Sequence, residues 1–477
     1  MKRNETLEMS DWRLGNSDSP ISNLQSATPE SRLISYSIPS PGITAADFLH
    51  QAHGLERFYW EDGRNHLVFA GSGVTKELFA WGERRFRSIE RQAKALFQDT
   101  TVVNEAAPLA APRLFGGFAF REDFAPDEAW TTFQPAHFVL PHYQLVQQDN
   151  ESWLTINAQL PASEEPSELV PQLHEALTIR YELLLAAKAA PNIRHEMPPA
   201  TAVNYPMSFP AWETMISTAT NRTRHTELNK VVLARVCEVQ FDEQVNVDGA
   251  LSFLAEKYAN SYRFLFEPRP AHAFYGATPE LLARVNGRSF TTMGLAGSIA
   301  RGKTKAEDET LANEMLNSAK DRHEHEIVVD SIRRRLEPFT DSLAIPTTPS
   351  VMALSNIQHL FTPIQAQLSQ PMGILPLVEN LHPTPALGGS PRELAMQFIS
   401  EAEPITRGWY GAPMGWIDHN LNGAFIVGIR SAVAQNKRVW LYAGAGIVDD
   451  SIPQKEWDET ALKFRPMLEA LRLEIGG

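Results

Sequence analysis

Cysteine is almost missing from this chain of 477 residues: Cys237 stands alone. No intrachain disulfide and no cysteine-built metal cluster can form, which fits a reducing compartment, and a cytoplasmic protein is expected. Long hydrophobic runs are missing too. No stretch approaches the roughly 18 apolar residues of a membrane span, and residues 1–18 mix Lys2 and Arg3 with Glu5, Glu8 and Asp11, unlike a signal or transit peptide. Positive charge is in deficit, with 43 Lys and Arg against 57 Asp and Glu and a net charge of −14. No nucleic-acid partner is expected on that balance, and no membrane partner without an apolar span. What is present, 43% hydrophobic and 21% charged residues, is a globular composition long enough for two or three average domains or one large one.

Residues 1–40 are rich in Ser, Pro, Asn and acids, with apolar residues at no fixed period, and predict a mobile arm. From residue 57, Phe58-Tyr59-Trp60 and Leu67-Val68-Phe69 flank Glu61-Asp62-Gly63, a hairpin that opens an antiparallel sheet. Gly71-Ser72-Gly73 lacks the third glycine of a dinucleotide-binding turn and reads as a tight turn. A helix is predicted over 83–97, strands over 115–120 and 138–146, and a long helix over 167–189 before a proline-rich connector at 191–206. Helical spacing over 209–221 precedes a β-branched strand over 230–241, strands over 261–267 and 272–277, and a hairpin turning at Asn286-Gly287. Thr304 and Glu307 form a capping box, and 321–336 reads as a further helix. Ser390 reads as an N-cap, with Pro391 at the first helical position and Glu393 completing the box. Strands over 423–431 and 438–443 lead to a final helix over 456–475, with Pro466 inside it.

Several features of the second half could carry chemistry. In the last helix Glu456, Glu459 and Lys463 share one face at i, i+3 and i+7, opposite an apolar stripe of Trp457, Ala461, Phe464, Leu468 and Leu471. A solvated face is the plainer reading. Asp321 and Glu324 repeat the carboxylate spacing on another helix, so that two helices could converge on a hard cation, for which Mg²⁺ is the natural choice. His323-Glu324-His325 does not suggest zinc, because adjacent residues point about 100° apart on a helix and no H-E-x-x-H is present. The segments Leu295-Ala296-Gly297-Ser298 and Tyr442 to Gly446 are read as strand ends or turns, where glycine lets backbone N–H groups approach an anion. Lys230 heads an apolar strand and would be desolvated if it faced the core, and Glu280 follows Thr278-Pro279 between two strands. Either could equally be a surface charge.

Together these pieces resemble the chorismate-utilising enzymes, and among them the isochorismate synthases, most closely those of menaquinone biosynthesis. The resemblance spans about residues 205–473. It is carried by K-V-V-L-A-R from Lys230, T-P-E-L-L from Thr278, L-A-G-S from Leu295 and D-R-H-E-H from Asp321, then by L-H-P-T-P-A-L-G-G from Leu381, G-I-R-S from Gly428, Y-A-G-A-G-I-V from Tyr442 and E-W-D-E-T from Glu456. It implies an α+β fold of two large stacked antiparallel β-sheets with helices packed outside. Residues 41–200 would be its N-terminal part and 205–477 the chorismate-binding catalytic region. By the same resemblance Glu324 and Glu459 ligate Mg²⁺ while Asp321 and Glu456 hold its waters. Arg430 and Lys463, with backbone around Gly297, Gly444 and Gly446, bind the substrate's carboxylates. Lys230 is the general base for water, Glu280 the general acid, and Tyr442 and Tyr410 fall in substrate-contacting segments.

Relatives that add ammonia or eliminate pyruvate share the implied scaffold. Aminodeoxychorismate synthases have P-I-K-G-T where this chain has G-L-A-G-S, and anthranilate synthases usually have glutamine in place of the base lysine. Salicylate synthases tend to carry threonine where Ala386 and Leu387 stand. The expected reaction is therefore chorismate to isochorismate, and no glutamine amidotransferase subunit is expected. A salicylate synthase, a siderophore-pathway isochorismate synthase and a catalytically silent binding subunit are the alternatives.

Overall fold

The computed structural model describes residues 31–103, 107–161, 164–188 and 196–473. Runs of β-branched and aromatic residues with period two build two sheets. The first, of 13 strands, runs β10 (Ala200–Asn204), β11 (Lys230–Phe241), β23 (Arg438–Ile447), β22 (Ser431–Gln435), β13 (His272–Thr278), β12 (Tyr262–Arg269), β2 (Arg57–Asp62), β3 (Leu67–Ser72), β8 (Tyr143–Gln148), β9 (Glu151–Pro161), β1 (Ser31–Pro39) and β5 (Thr101–Val103), with β19 (Gly389–Ser390) beside β11. The second, of 10, runs β16 (Thr340–Ala344), β18 (Ile357–Leu368), β15 (Ser289–Ala300), β14 (Leu281–Asn286), β21 (Gly423–Val427), β20 (Pro413–Asp418), β6 (Arg113–Phe118), β7 (Ala136–Leu140) and β4 (Lys76–Ala80), with β17 (Ser350–Ala353) beside β18. The helices are α1 (Ala45–His50), α2 (Arg85–Gln98), α3 (Pro166–Lys188), α4 (Phe209–His225), α5 (Val247–Lys257), α6 (Lys305–Asn317), α7 (Ala319–Leu336), α8 (Ile374–Leu381), α9 (Arg392–Ala402) and α10 (Pro453–Ala470).

The sheets stack through an aromatic layer. Phe58, Trp60, Phe264 and Phe274 of the first sheet pack with Phe115, Met414, Trp416 and Ile426 of the second. Trp60 meets Trp416 edge-on at 6.1 Å between ring centroids. The outer faces are covered by helices: α1, α3, α5 and α10 contribute to one apolar cluster, and α2, α4, α7, α8 and α9 to another. Both halves of the chain enter both sheets, joined by β2 against β12 and by β6 against β20. The architecture is thus α+β with two stacked, mainly antiparallel sheets, as the resemblance implies.

Several predicted boundaries move. Residues 31–39, placed in the arm, form β1 between β9 and β5, with a buried serine face on which Ser37 Oγ bonds Thr155 Oγ1 at 2.9 Å. The rest of that arm lies outside the described residues. Part of the proline-rich connector is an edge strand, β10 on β11. At the hairpin, Asn286 pairs with Ser289, so the turn's central residues are Gly287 (φ +60°) and Arg288, one later than predicted, with glycine in the first central position of a II′-like turn. Ser390 is not an N-cap: it pairs with Lys230, and α9 starts at Arg392 behind Pro391. The strand predicted over 423–431 is broken at Gly428-Ile429-Arg430 into β21 and β22. The glycine segments, read as strand ends or turns, lie toward the C-terminal ends of β15 and β23, and the final helix ends at Ala470.

Candidate active site

Lys230 shares a strand face with Val232, Ala234 and Val236, opposite Gly446, Gly444 and Tyr442 of β23. That face lies between the sheets, and Lys230 is only 1% exposed. Its Nζ donates to Glu324 Oε1 of α7 at 2.7 Å, so the lysine faces a carboxylate as well as apolar neighbours. The segment 382–390 frames the same strand. Val232 N–H donates to Gly388 O at 2.9 Å and Asn229 N–H to Ser390 O at 2.8 Å, which lays Ala386 and Leu387 alongside.

Two helices bring the carboxylates. Ser318 caps α7 by accepting from Asp321 N–H at 3.2 Å, and Val328, Ile332 and Leu336 bury its inner side. The charged face of α10 is not solvated as the plainer reading has it: Glu456 is 2% exposed. What turns this face inward is Arg235 of β11, whose guanidinium lies 3.5 Å from the Trp457 ring centre and donates to Thr460 Oγ1 at 2.8 Å and Trp457 O at 3.1 Å. Lys463 Nζ reaches Glu459 Oε1 at 2.6 Å and Gly444 O at 2.8 Å, and Lys320 lies 3.4 Å from Glu456 Oε1. Burial first, then the Glu459 carboxylate, pushes the Glu456 carboxyl up. Asp321 is raised by burial and then by Glu324, against the hydrogen bond from Ser318. Burial also pushes on Glu459, but Lys463 outweighs it and holds that carboxyl below its ordinary value.

Glycine is required where these elements close up. A Cβ on Gly446 would stand 2.7 Å from Glu324 Oε1 and 2.9 Å from Lys230 Cε. Gly297 has φ +74° at a break in the β15–β18 register, and a Cβ there would meet Asp321 Cβ at 3.3 Å. Glu280 is buried, and burial pushes its carboxyl up to about 8 against the fields of Lys230, Arg430 and Lys463. Arg430 sits at the break between β21 and β22 with φ +49°, a backbone conformation that costs a non-glycine residue about 1–3 kcal/mol.

The sequence profile of the chorismate binding enzymes matches residues 20–472. Isochorismate synthase MenF of Bacillus subtilis is 33% identical over 449 residues, covering 92% of this chain and 93% of that one. The salicylate biosynthesis isochorismate synthase of Pseudomonas aeruginosa is 38% identical over 423 residues, 88% of this chain and 85% of the relative. The solved structure of MenF, the menaquinone-specific isochorismate synthase of Escherichia coli, superposes with a TM-score of 0.76 at 26% identity, covering 92% of this chain and 95% of the other. The chain belongs to the chorismate-binding enzymes.

Within this chorismate-binding enzyme, Lys230, Glu280, Glu324, Glu459, Arg430, Lys463, Gly444 and Gly446 are drawn together from β11, β23, α7, α10 and two connections. Tyr410 is buried, with its ring stacked on Tyr442 at 5.3 Å, and the Tyr442 hydroxyl accepts from Trp130 Nε1 at 3.0 Å. Ala386 packs on the outer apolar cluster and Leu387 against Gly411. His323 is exposed while His325 bonds Thr362 Oγ1 at 2.8 Å, so the two share no ligand site. Sequence reasoning missed His359. Its Nδ1–H donates to Gly297 O at 3.0 Å, which leaves Nε2 to accept from Arg430 Nη2 at 3.3 Å. Burial, then Arg430, pushes this imidazole down to about 3, so it stays neutral. A histidine in a β-branched strand gives no spacing signal of its own. Asp321 and Glu456 are raised by burial and then by the Glu324 and Glu459 carboxylates, a repulsion that the charge of a hard, oxygen-preferring cation would relieve.

Proposed function

We propose that the chain is an isochorismate synthase that converts chorismate to isochorismate, with Mg²⁺ held by Glu324 and Glu459 and its waters by Asp321 and Glu456. One observation carries this reading: a buried lysine bonded to Glu324 of α7 lies near a buried glutamate whose carboxyl is pushed up, while Lys463 of α10, paired with Glu459, reaches Gly444 O on the neighbouring strand. Bound Mg²⁺ would supply positive charge for the ring carboxylate and engage the Glu324 carboxylate that otherwise faces Lys230. Lys230 takes a proton from water as its oxygen bonds to ring C2. The double bonds shift, the C4–O bond breaks with its electron pair, and Glu280 protonates the departing hydroxyl, so that one water enters and one leaves. Arg430, aimed by His359, and Lys463 hold the carboxylates of a dianion that the net charge of −14 would otherwise repel. The catalytic residues belong to the region 205–477.

Isochorismate made here is assigned to menaquinone biosynthesis, in keeping with the two MenF relatives. The 38% identity to a salicylate-biosynthesis isochorismate synthase favours a second reading, in which a separate lyase consumes the product. Neither reading needs an amidotransferase subunit. Incubation with chorismate and Mg²⁺ followed by chromatography should give isochorismate in balance with chorismate and no salicylate or anthranilate. Pyruvate released in step with turnover, without added lyase, would replace this reading with a salicylate synthase.

A further inference from the structure

Away from the carboxylate helices, ring nitrogens of His50 and His53 and a carboxylate oxygen of Asp248 lie within 4.8 Å of one another. His50 ends α1, His53 lies in the turn after it, and Asp248 is in the first turn of α5, so the three residues join segments about 200 positions apart. Both helices are fixed at their starts, α1 by a capping box of Thr44 and Asp47 and α5 by Asn246 accepting from Gly249 N–H at 2.9 Å. The imidazoles are exposed and Asp248 is half-buried.

The carboxylate of Asp248 is divided between two tasks. Oδ1 accepts from Arg57 Nη1 at 2.8 Å, and Arg57 is itself buried and held by Glu267 Oε2 at 2.5 Å and Leu49 O at 3.2 Å. Oδ2 faces His53 Nε2 at 2.8 Å. The His50 and His53 rings stand edge to face at 5.5 Å between centroids. A tetrahedral ion with bonds of about 2.0–2.2 Å sets its ligand atoms about 3.3–3.6 Å apart. Oδ2 and Nε2, hydrogen-bonded at 2.8 Å, need only part by less than about 1 Å for an ion to replace the proton between them, and Arg57 supplies the outer hydrogen bond that orients a metal-binding carboxylate.

We propose that His50, His53 and Asp248 form a surface site for a borderline divalent transition-metal ion of the Zn²⁺ type, with water completing its coordination. Two imidazoles select such an ion over Mg²⁺, so the site is chemically distinct from the carboxylate cluster and does not depend on the activity proposed above. Occupancy ties α1 to α5 and stabilises the folded chain by mass action.

The test uses the full chain without a polyhistidine tag, stripped of metal and held in excess Mg²⁺ so that oxygen-only sites are filled. Titration with Co²⁺ should produce a tetrahedral-type visible absorption band at about one equivalent, and Zn²⁺ should abolish the band and raise Tm. His50→Ala and His53→Ala, both at exposed positions, should each weaken Co²⁺ binding at least about tenfold and remove the Zn²⁺ shift in Tm, while Mg²⁺-supported turnover is unchanged. No visible band, or a band that survives in the double variant, would overturn the proposal.

Discussion

Glu280 and Lys230 are both buried, yet their surroundings differ. Among the described residues no cation stands as close to Glu280 as Glu324 does to Lys230; burial dominates over the fields of Lys230, Arg430 and Lys463, which holds Glu280 protonated up to about pH 8. Three consequences can be measured. Glu280→Gln should lower turnover by about 10²- to 10⁴-fold, and the residual activity should lack the high-pH limb near pH 8 expected of the wild type. The sign for stability follows from the same group. The native state keeps a proton that the unfolded chain releases above its ordinary value of 4.5, so this group's contribution to stability falls as pH rises from there to about 8. Lys230→Ala should lose rate over the same range as Glu280→Gln. More than about half of wild-type turnover in that variant would remove the lysine from the mechanism.

At the scale of elements, the site is made by register. Gly446 leaves the space that Glu324 Oε1 and Lys230 Cε occupy, and its neighbours on that side are a charged pair with little room to yield. Gly446→Ala should therefore lose most activity while the protein still unfolds cooperatively, which paired kinetics and thermal melts would show. The carboxylates of α7 and α10 carry the metal part of the proposal. Chelation should abolish turnover and Mg²⁺ restore it, and Glu324→Gln or Glu459→Gln should raise the Mg²⁺ concentration needed for half activity without unfolding the chain. Full activity after exhaustive chelation would contradict this. Much of this scale was legible in the sequence. The β-branched run of β11 has the bounds predicted, and the i, i+3 carboxylates mark α7 and α10. What spacing could not convey is which side of α10 faces inward, because a charged face reads as solvated until Arg235 of a strand some 220 positions away is seen to clamp the helix by Trp457 and Thr460. For the same reason Ser390 looked like a cap. Its backbone is taken instead by pairing with Lys230, a long-range contact that local propensity does not encode.

For the whole molecule, two sheets shared by both halves of the chain frame the proposed site in an acidic protein. The local motifs carried the site, whereas the stacking of the sheets entered through family resemblance and is not contained in any single spacing. His359 shows the limit: its link from Gly297 to Arg430 exists only once β15, β18 and the β21–β22 break are assembled. The central claim is that Lys230 and Glu280 exchange a solvent water for the C4 hydroxyl of chorismate. It is tested most directly by turnover in ¹⁸O-labelled water with Mg²⁺, with the product isolated at low conversion and weighed by mass spectrometry. The expected result is isochorismate carrying one ¹⁸O at C2 and no released pyruvate; isochorismate without the label, or a labelled solution containing salicylate and pyruvate instead, would contradict it.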